Sequence, residues 1–342
     1  MKYFRLIVSA LLLSSLLPLP LQAQEASPAA DMSMPETVFS NTTTGTKKNN
    51  KKPDSYWKER FKPYGLNYGI WQSSSGDDQS MEVQFSFKYV FYNCLRYDKS
   101  GKWGCSDDAK TKVNAFFSYT GKFDFYMFTR DSSPVINRTS NPAGHINFDH
   151  KYTDDFSVWG DLAIEHRSNG QVVNAATKDT TPGSPTFGQY QTEIESRKGN
   201  HEYFDRISRD ANFVNLETGL KYAETKVDVG LKLYFTDDGV VTWGPYAGSG
   251  VKFKDFDLVR LRASHAFKDW CTIFPEITLG LEYLIGRRAM STDSLDLHLL
   301  FPFVLSDIEI PFFAKAHFGP MDRLSDYTTS ISSYGVGIVL YY

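Results

Sequence analysis

One pattern limits this chain more than any other: long segments in which apolar and polar residues alternate strictly. In "MEVQFSFKYVFY", Met81, Val83, Phe85, Phe87, Tyr89 and Phe91 share one parity, and Glu82, Gln84, Ser86 and Lys88 share the other. Successive side chains of a β-strand point to opposite faces, so such a segment has one greasy and one wet face. "VNAFFSYTGKFDFYMF" sets Val113, Ala115, Phe117, Tyr119, Phe123, Phe125 and Met127 against Asn114, Ser118, Thr120, Lys122 and Asp124. "VDVGLKLYF", "CTIFPEITLGLEY", "LDLHLLF" and the final "SYGVGIVLYY" repeat the pattern, the last ending on Tyr342. Strands of soluble sandwiches run to about 5–6 residues. These run to about ten or more, the length a tilted strand needs to cross a bilayer.

About twelve such segments follow Tyr64, near 64–73, 81–93, 112–129, 143–153, 156–168, 203–217, 218–236, 250–262, 263–283, 293–304, 308–318 and 332–342. The spacing predicts an all-β fold, a transmembrane antiparallel β-barrel of about 12 strands. Bacterial barrels carry even strand numbers from about 8 upward. The 20 Tyr and 26 Phe suit the aromatic girdles of such a barrel. Lys88, Lys122, Asp124 and Lys232 are expected in its lumen. A net charge of −3 argues against a nucleic-acid partner.

The start of the chain reads as an export signal. Lys2 and Arg5 precede the apolar "LIVSALLLSSLLPLPL", and Leu21-Gln22-Ala23 offers a small-residue cleavage site before Gln24. The expected organisation is a signal peptide over 1–23, a flexible polar leader over 24–60, and the barrel over 61–342. Three cysteines leave one over: Cys94 and Cys105 could close a short loop in an oxidising compartment, with Cys271 unpaired.

The segment "DLAIEHRSN" carries the chemistry. Leu162, Ile164, His166 and Ser168 share a parity, so an apolar face ends in a histidine and a serine. If both termini lie on the periplasmic side, the fifth strand runs outward and ends at the cell surface. His166 and Ser168 then face lipid at the depth of the outer-leaflet ester groups, where polar residues are nearly neutral. A serine hydroxyl is a weak nucleophile until a base takes its proton, and that base needs a third group to orient it. Residues two apart on a strand share a face at roughly 6–7 Å, close enough for the side chains to meet.

"EHRSNGQ" (Glu165–Gln171) resembles the His-x-Ser-Asn-Gly signature of the outer membrane phospholipase A family. "FKPYGLNYGIWQ" (61–72), "RDSSPVINRTSNPAGH" (130–145) and "FDRIS" (204–208) resemble further segments of that family in the same order. The resemblance implies a twelve-stranded barrel that hydrolyses membrane glycerophospholipids with Ca2+ and works as a homodimer in the bacterial outer membrane. It implies Ser168 as nucleophile and His166 as general base. The family's third member is usually Asn in a Trp-Asn-Arg context; here Phe204-Asp205-Arg206 stands in that place, so Asp205 is expected to orient the imidazole. Gly170 would supply an oxyanion N–H. The calcium ligands implied are Ser132, Gln171, Ser196 and Asp238. Ser132 would contribute across a dimer interface, and both it and Asp238 fall in loops on the side of His166. The competing expectations are a passive channel and a structural or adhesin barrel using the long loop 169–203.

Overall fold

The computed structural model describes residues 60–75, 79–97, 103–104, 110–127, 135–170, 173–174, 207–237, 249–288, 290–306, 308–324 and 327–340. The expected signal peptide, the leader before Arg60, Tyr342 and the side chains of Cys94 and Cys105 lie outside the described residues. Cys271 is free and exposed.

Twelve long strands make the wall. They are β1 (Tyr68–Ser74), β2 (Gln79–Tyr97), β3 (Thr111–Phe125), β4 (Val135–Lys151), β5 (Phe156–Ser168), β6 (Asp210–Tyr222), β7 (Thr225–Asp237), β8 (Val259–Lys268), β9 (Glu276–Ile285), β10 (Ser294–Leu305), β11 (Ile308–Gly319) and β12 (Ile331–Val339). Each pairs antiparallel with the next. β12 returns to β1, with Ser333 opposite Ser74 and Val339 opposite Tyr68, so the sheet closes into a barrel. A short strand, Phe61–Pro63, pairs with β2 beyond the end of β1. No helix of the described residues is long and apolar enough to cross a membrane.

The faces follow the parity of the sequence. Ile164, Phe235 and Val336 are 63%, 61% and 56% exposed, whereas Glu82, Asp124 and Ala163 are 0% exposed. The apolar side chains therefore face outward to lipid and the charged ones inward. This is the inversion that a hydrocarbon solvent imposes.

The lumen holds paired charges. Glu82 receives Lys122 at 2.7 Å and, from across the lumen, Lys315 of β11 at 3.1 Å; the Tyr68 hydroxyl donates to it at 2.6 Å. Arg262 holds Glu217 at 2.7 Å and Asp228 at 2.5 Å. Lys88 and Lys232 are buried there as well, as the sequence pattern predicts. At the end that carries Ser168 the lumen turns apolar. Val251, Phe253 and Phe256 pack with Met321, Leu324 and Tyr327 against Ala211 and Phe213 of β6 and Leu284 of β9.

Several boundaries differ from the sequence expectation: β4, read as starting at 143, already begins at Val135. The turn expected at 217/218 lies inside β6, and the real hairpin turns at Ala223–Glu224, where Ala223 has φ 48°. Gly219, which invites a turn, instead permits close approach: a Cβ there would lie 2.7 Å from Trp159 Nε1 and from Val227 O. Residues 250–258, read as the start of a strand, form the loop that caps the lumen, with a single 3-10 turn at Phe253–Asp255. Their alternating pattern serves the apolar cap rather than a bilayer face. β8 accordingly starts at Val259, and the turn to β9 occupies 269–275.

Removing one partner of a buried ion pair strands the other charge and costs about 3–5 kcal/mol. Glu82→Ala leaves Lys122 and Lys315 without their shared carboxylate. It is expected to lower markedly the temperature at which the folded, fast-migrating band is lost on unheated SDS gels, and an unchanged transition would refute the role given to Glu82.

Candidate active site

His166 and Ser168 lie on the outer face at the end of β5, as their parity predicts. The odd-numbered neighbours hold that strand end from inside. Glu165 accepts from Asn215 Nδ2 at 2.7 Å and from Asn141 Nδ2 at 3.2 Å. Arg167 donates to the fully buried Asp257 at 3.2 Å, which also holds Lys232. The His166 carbonyl accepts from Asn141 Nδ2 at 3.0 Å. The strand is therefore pinned in the lumen while its chemistry faces out.

Immediately after Ser168 the chain is fixed again. Asn169 is 0% exposed. Its N–H donates to Arg209 O at 3.1 Å, and its Oδ1 accepts from Arg209 N at 2.8 Å. This reciprocal pair ties the turn to the start of β6 across a long insertion. Gly170 follows with φ +57°, exposed, in the left-handed region that glycine enters at no steric cost. Its N–H makes no hydrogen bond among the described residues.

The imidazole has a partner that the sequence reading missed. His166 Nδ1 lies 2.9 Å from Asn212 Oδ1, and β6 sets Asn212 directly opposite His166. A carboxamide oxygen only accepts, so Nδ1 carries the proton and Nε2 keeps its lone pair. That is the tautomer a general base needs. Asp205, expected in this role, lies outside the described residues. The two positions stand seven residues apart in sequence. Ser168 faces Asp210 of β6 and Ser140 of β4 in the pairing. Its hydroxyl makes no hydrogen bond among the described residues, so the contact with His166 expected from spacing is not formed here. Such contacts commonly tighten only when substrate binds.

A second serine–histidine pair, also unforeseen, lies inside the barrel. Ser118 Oγ is 2.8 Å from His145 Nε2, and His145 Nδ1 is 2.7 Å from Asp161 Oδ2. By hydrogen bonding alone this is the more complete relay. Its access is the difficulty. The three residues are 2%, 4% and 5% exposed, and the imidazole stacks on Phe116 at 4.4 Å between ring centres, with Tyr64 at 5.2 Å. It clasps β3, β4 and β5 together where no lipid reaches.

Ser132, Gln171, Ser196 and Asp238, the implied calcium ligands, all lie outside the described residues. Among the described residues no group of three or more His, Cys, Asp or Glu is gathered. A site built of hydroxyl and carbonyl oxygens, which calcium accepts readily, would not form such a group.

No family model and no curated protein matches the sequence. Solved structures do match the fold. Outer membrane phospholipase A from Escherichia coli aligns with a TM-score of 0.51 at 15% identity, over 81% of this chain and 93% of that one. An Asn-to-Ala active-site mutant of that protein at pH 6.1 aligns at 0.52 and 13%, over 85% and 94%. The Salmonella typhi outer membrane phospholipase dimer with bound calcium aligns at 0.50 and 14%, over 81% and 91%. At these identities the likeness establishes the architecture: a transmembrane barrel of the bacterial outer-membrane kind.

If the luminal relay is structural, Ser118→Ala should remove one buried hydrogen bond, worth about 1–3 kcal/mol when a partner is stranded. The barrel should unfold at a lower temperature, with the reactivity of Ser168 toward acylating agents unchanged. Loss of all serine reactivity on that substitution would relocate the site to the lumen.

Proposed function

We propose that this protein is a calcium-dependent phospholipase A of the outer membrane, cleaving acyl esters of membrane glycerophospholipids at the lipid-facing rim of its barrel. The observation that carries the proposal is the bond between His166 Nδ1 and Asn212 Oδ1 on a face that otherwise meets hydrocarbon. A passive channel or an adhesin has no use for an oriented imidazole there. Three of the solved neighbours, at TM-scores of 0.50–0.52, are outer membrane phospholipases, and one of these is an active-site asparagine mutant. The longest connections, from β5 to β6 and from β7 to β8, start from strand ends on the Ser168 side, and outer-membrane barrels turn their longer loops outward. We therefore orient the site toward the cell surface.

In this mechanism His166 Nε2 takes the Ser168 proton as Oγ attacks the ester carbonyl carbon. The negative charge that develops on the carbonyl oxygen is met by the Gly170 N–H. His166 then returns its proton to the departing lysophospholipid alcohol. In the second half-reaction a water gives its proton to His166 and attacks the acyl carbon, and His166 returns that proton to Ser168 Oγ as the acyl–oxygen bond breaks and the fatty acid leaves. Asn212 is neutral, so it fixes the tautomer and ring orientation without adding a full charge against imidazolium. We assign it the orienting role in place of Asp205. Oxygens of Ser132, Gln171, Ser196 and Asp238 would hold calcium, which would supply positive charge to stabilise the oxyanion. A second copy of the chain, paired along the lipid-facing site, would supply walls for the acyl chains and carry Ser132 across the interface.

Hydrolysis of phospholipid in mixed micelles tests this directly. Fatty-acid release should require calcium, stop with excess chelator and vanish in Ser168→Ala. General-base assistance is worth roughly 10²–10⁴-fold, so Asn212→Ala should lose a large part of that factor while Asp205→Ala keeps most activity. The reverse order for the last two variants would restore Asp205 as the orienting residue. Calcium-independent release, or release that survives Ser168→Ala, would overturn the mechanism.

A further inference from the structure

Strict alternation along β7 puts Val227, Val229, Leu231, Leu233 and Phe235 on the lipid face and assigns Thr236 to the lumen. The structure does otherwise. Phe213 pairs with Tyr234, but the preceding residue Asn212 pairs with Thr236, so one residue of β7, Phe235, is left over in a β-bulge. A bulge inserts a residue, resets the parity and re-aims the side chain that follows it. Here it turns Thr236 onto the face occupied by Asn212 and His166. Asn212 Nδ2 then donates to Thr236 Oγ1 at 2.6 Å while Asn212 Oδ1 sits 2.9 Å from His166 Nδ1.

We propose that Thr236 is a positioning residue for the reaction, anchoring the Asn212 amide so that its oxygen end meets the imidazole. A carboxamide has two nearly isosteric ends with opposite hydrogen-bonding character. Reversed, Asn212 would present N–H donors to Nδ1, favour the opposite tautomer and move the lone pair away from Ser168. The Thr236 hydroxyl accepts from the amide nitrogen and anchors the amide in the arrangement that leaves its oxygen on the His166 side. Three adjacent strands thus form one lateral relay, Thr236 on β7, Asn212 on β6 and His166 on β5. Ser168 touches substrate in this scheme; Thr236 acts only through Asn212. The inference rests on the function proposed above, but its structural half stands apart from that function.

The test compares wild type, Thr236→Val and Thr236→Ser, each alone and with Asn212→Asp. Nitrogen-15 spectra of histidine-labelled protein report the His166 tautomer without any substrate. Wild type and Thr236→Ser should show the proton on Nδ1, and Thr236→Val should show mixed tautomers. Loss of one such bond should lower kcat by about 3- to 10-fold at neutral pH, with KM unchanged and Ser restoring it. In the Asn212→Asp background both oxygens accept, no end needs selecting, and Thr236→Val should matter much less. A wild-type tautomer and kcat in Thr236→Val, or an equal loss in the Asp background, would overturn the proposal. If wild type hydrolyses no phospholipid, the function fails while the tautomer comparison still decides the role of Thr236.

Discussion

Hydrocarbon offers no water to an unpaired peptide group, and each unsatisfied group costs several kcal/mol there. A sheet in that solvent has to close on itself, and the pairing of β12 with β1 is that closure. The rest of the structure depends on it. Closure makes every strand two-faced, sends Leu162 and Ile164 outward, and gathers Glu82, Asp161, Lys232 and Arg262 into a lumen where they must pair. It also makes the ends of strands the natural place for polar chemistry facing lipid. There the hydrocarbon gives way to ester and head groups within the reach of one or two residues.

Two relays of the same chemical type sit on opposite sides of β5. The inner one joins Ser118, His145 and Asp161; the outer one joins His166, Asn212 and Thr236, with Ser168 on the same face. Geometry in isolation favours the inner set, because its serine is already hydrogen-bonded. Solvent exposure reverses the choice. An enzyme acting on bilayer lipid needs its nucleophile where the ester is, and the inner set is walled by Phe116 and Tyr64. The inner charges do take part indirectly. Arg167 and Glu165, anchored to Asp257 and Asn215, stiffen the strand that holds His166 and Ser168 out toward lipid.

Period-two alternation made the barrel, its strand number and the faces of Lys88, Lys122, Asp124 and Lys232 legible in the sequence, because a membrane strand has little freedom to break parity. Turns were less legible: the boundary expected at 217/218 falls inside β6, where Gly219 permits a close approach beside Trp159. The outward placement of His166 and Ser168 at a strand end could be read from one strand alone. Asn212 could not, since the residues between Asn169 and Arg209 leave the register of β6 free in sequence. Thr236 was hidden for a different reason, the bulge at Phe235 that reverses its face. The implied calcium ligands lie outside the described residues, in stretches of sequence with no periodic pattern to report which oxygens converge.

The most direct measurement maps the reactive serine. Folded protein in detergent would be exposed to a long-chain fluorophosphonate, digested, and the labelled peptide identified by mass spectrometry. One labelled serine, Ser168, is expected, with labelling slowed strongly in His166→Ala and in Asn212→Ala. Label on Ser118, or labelling at Ser168 indifferent to His166, would contradict it.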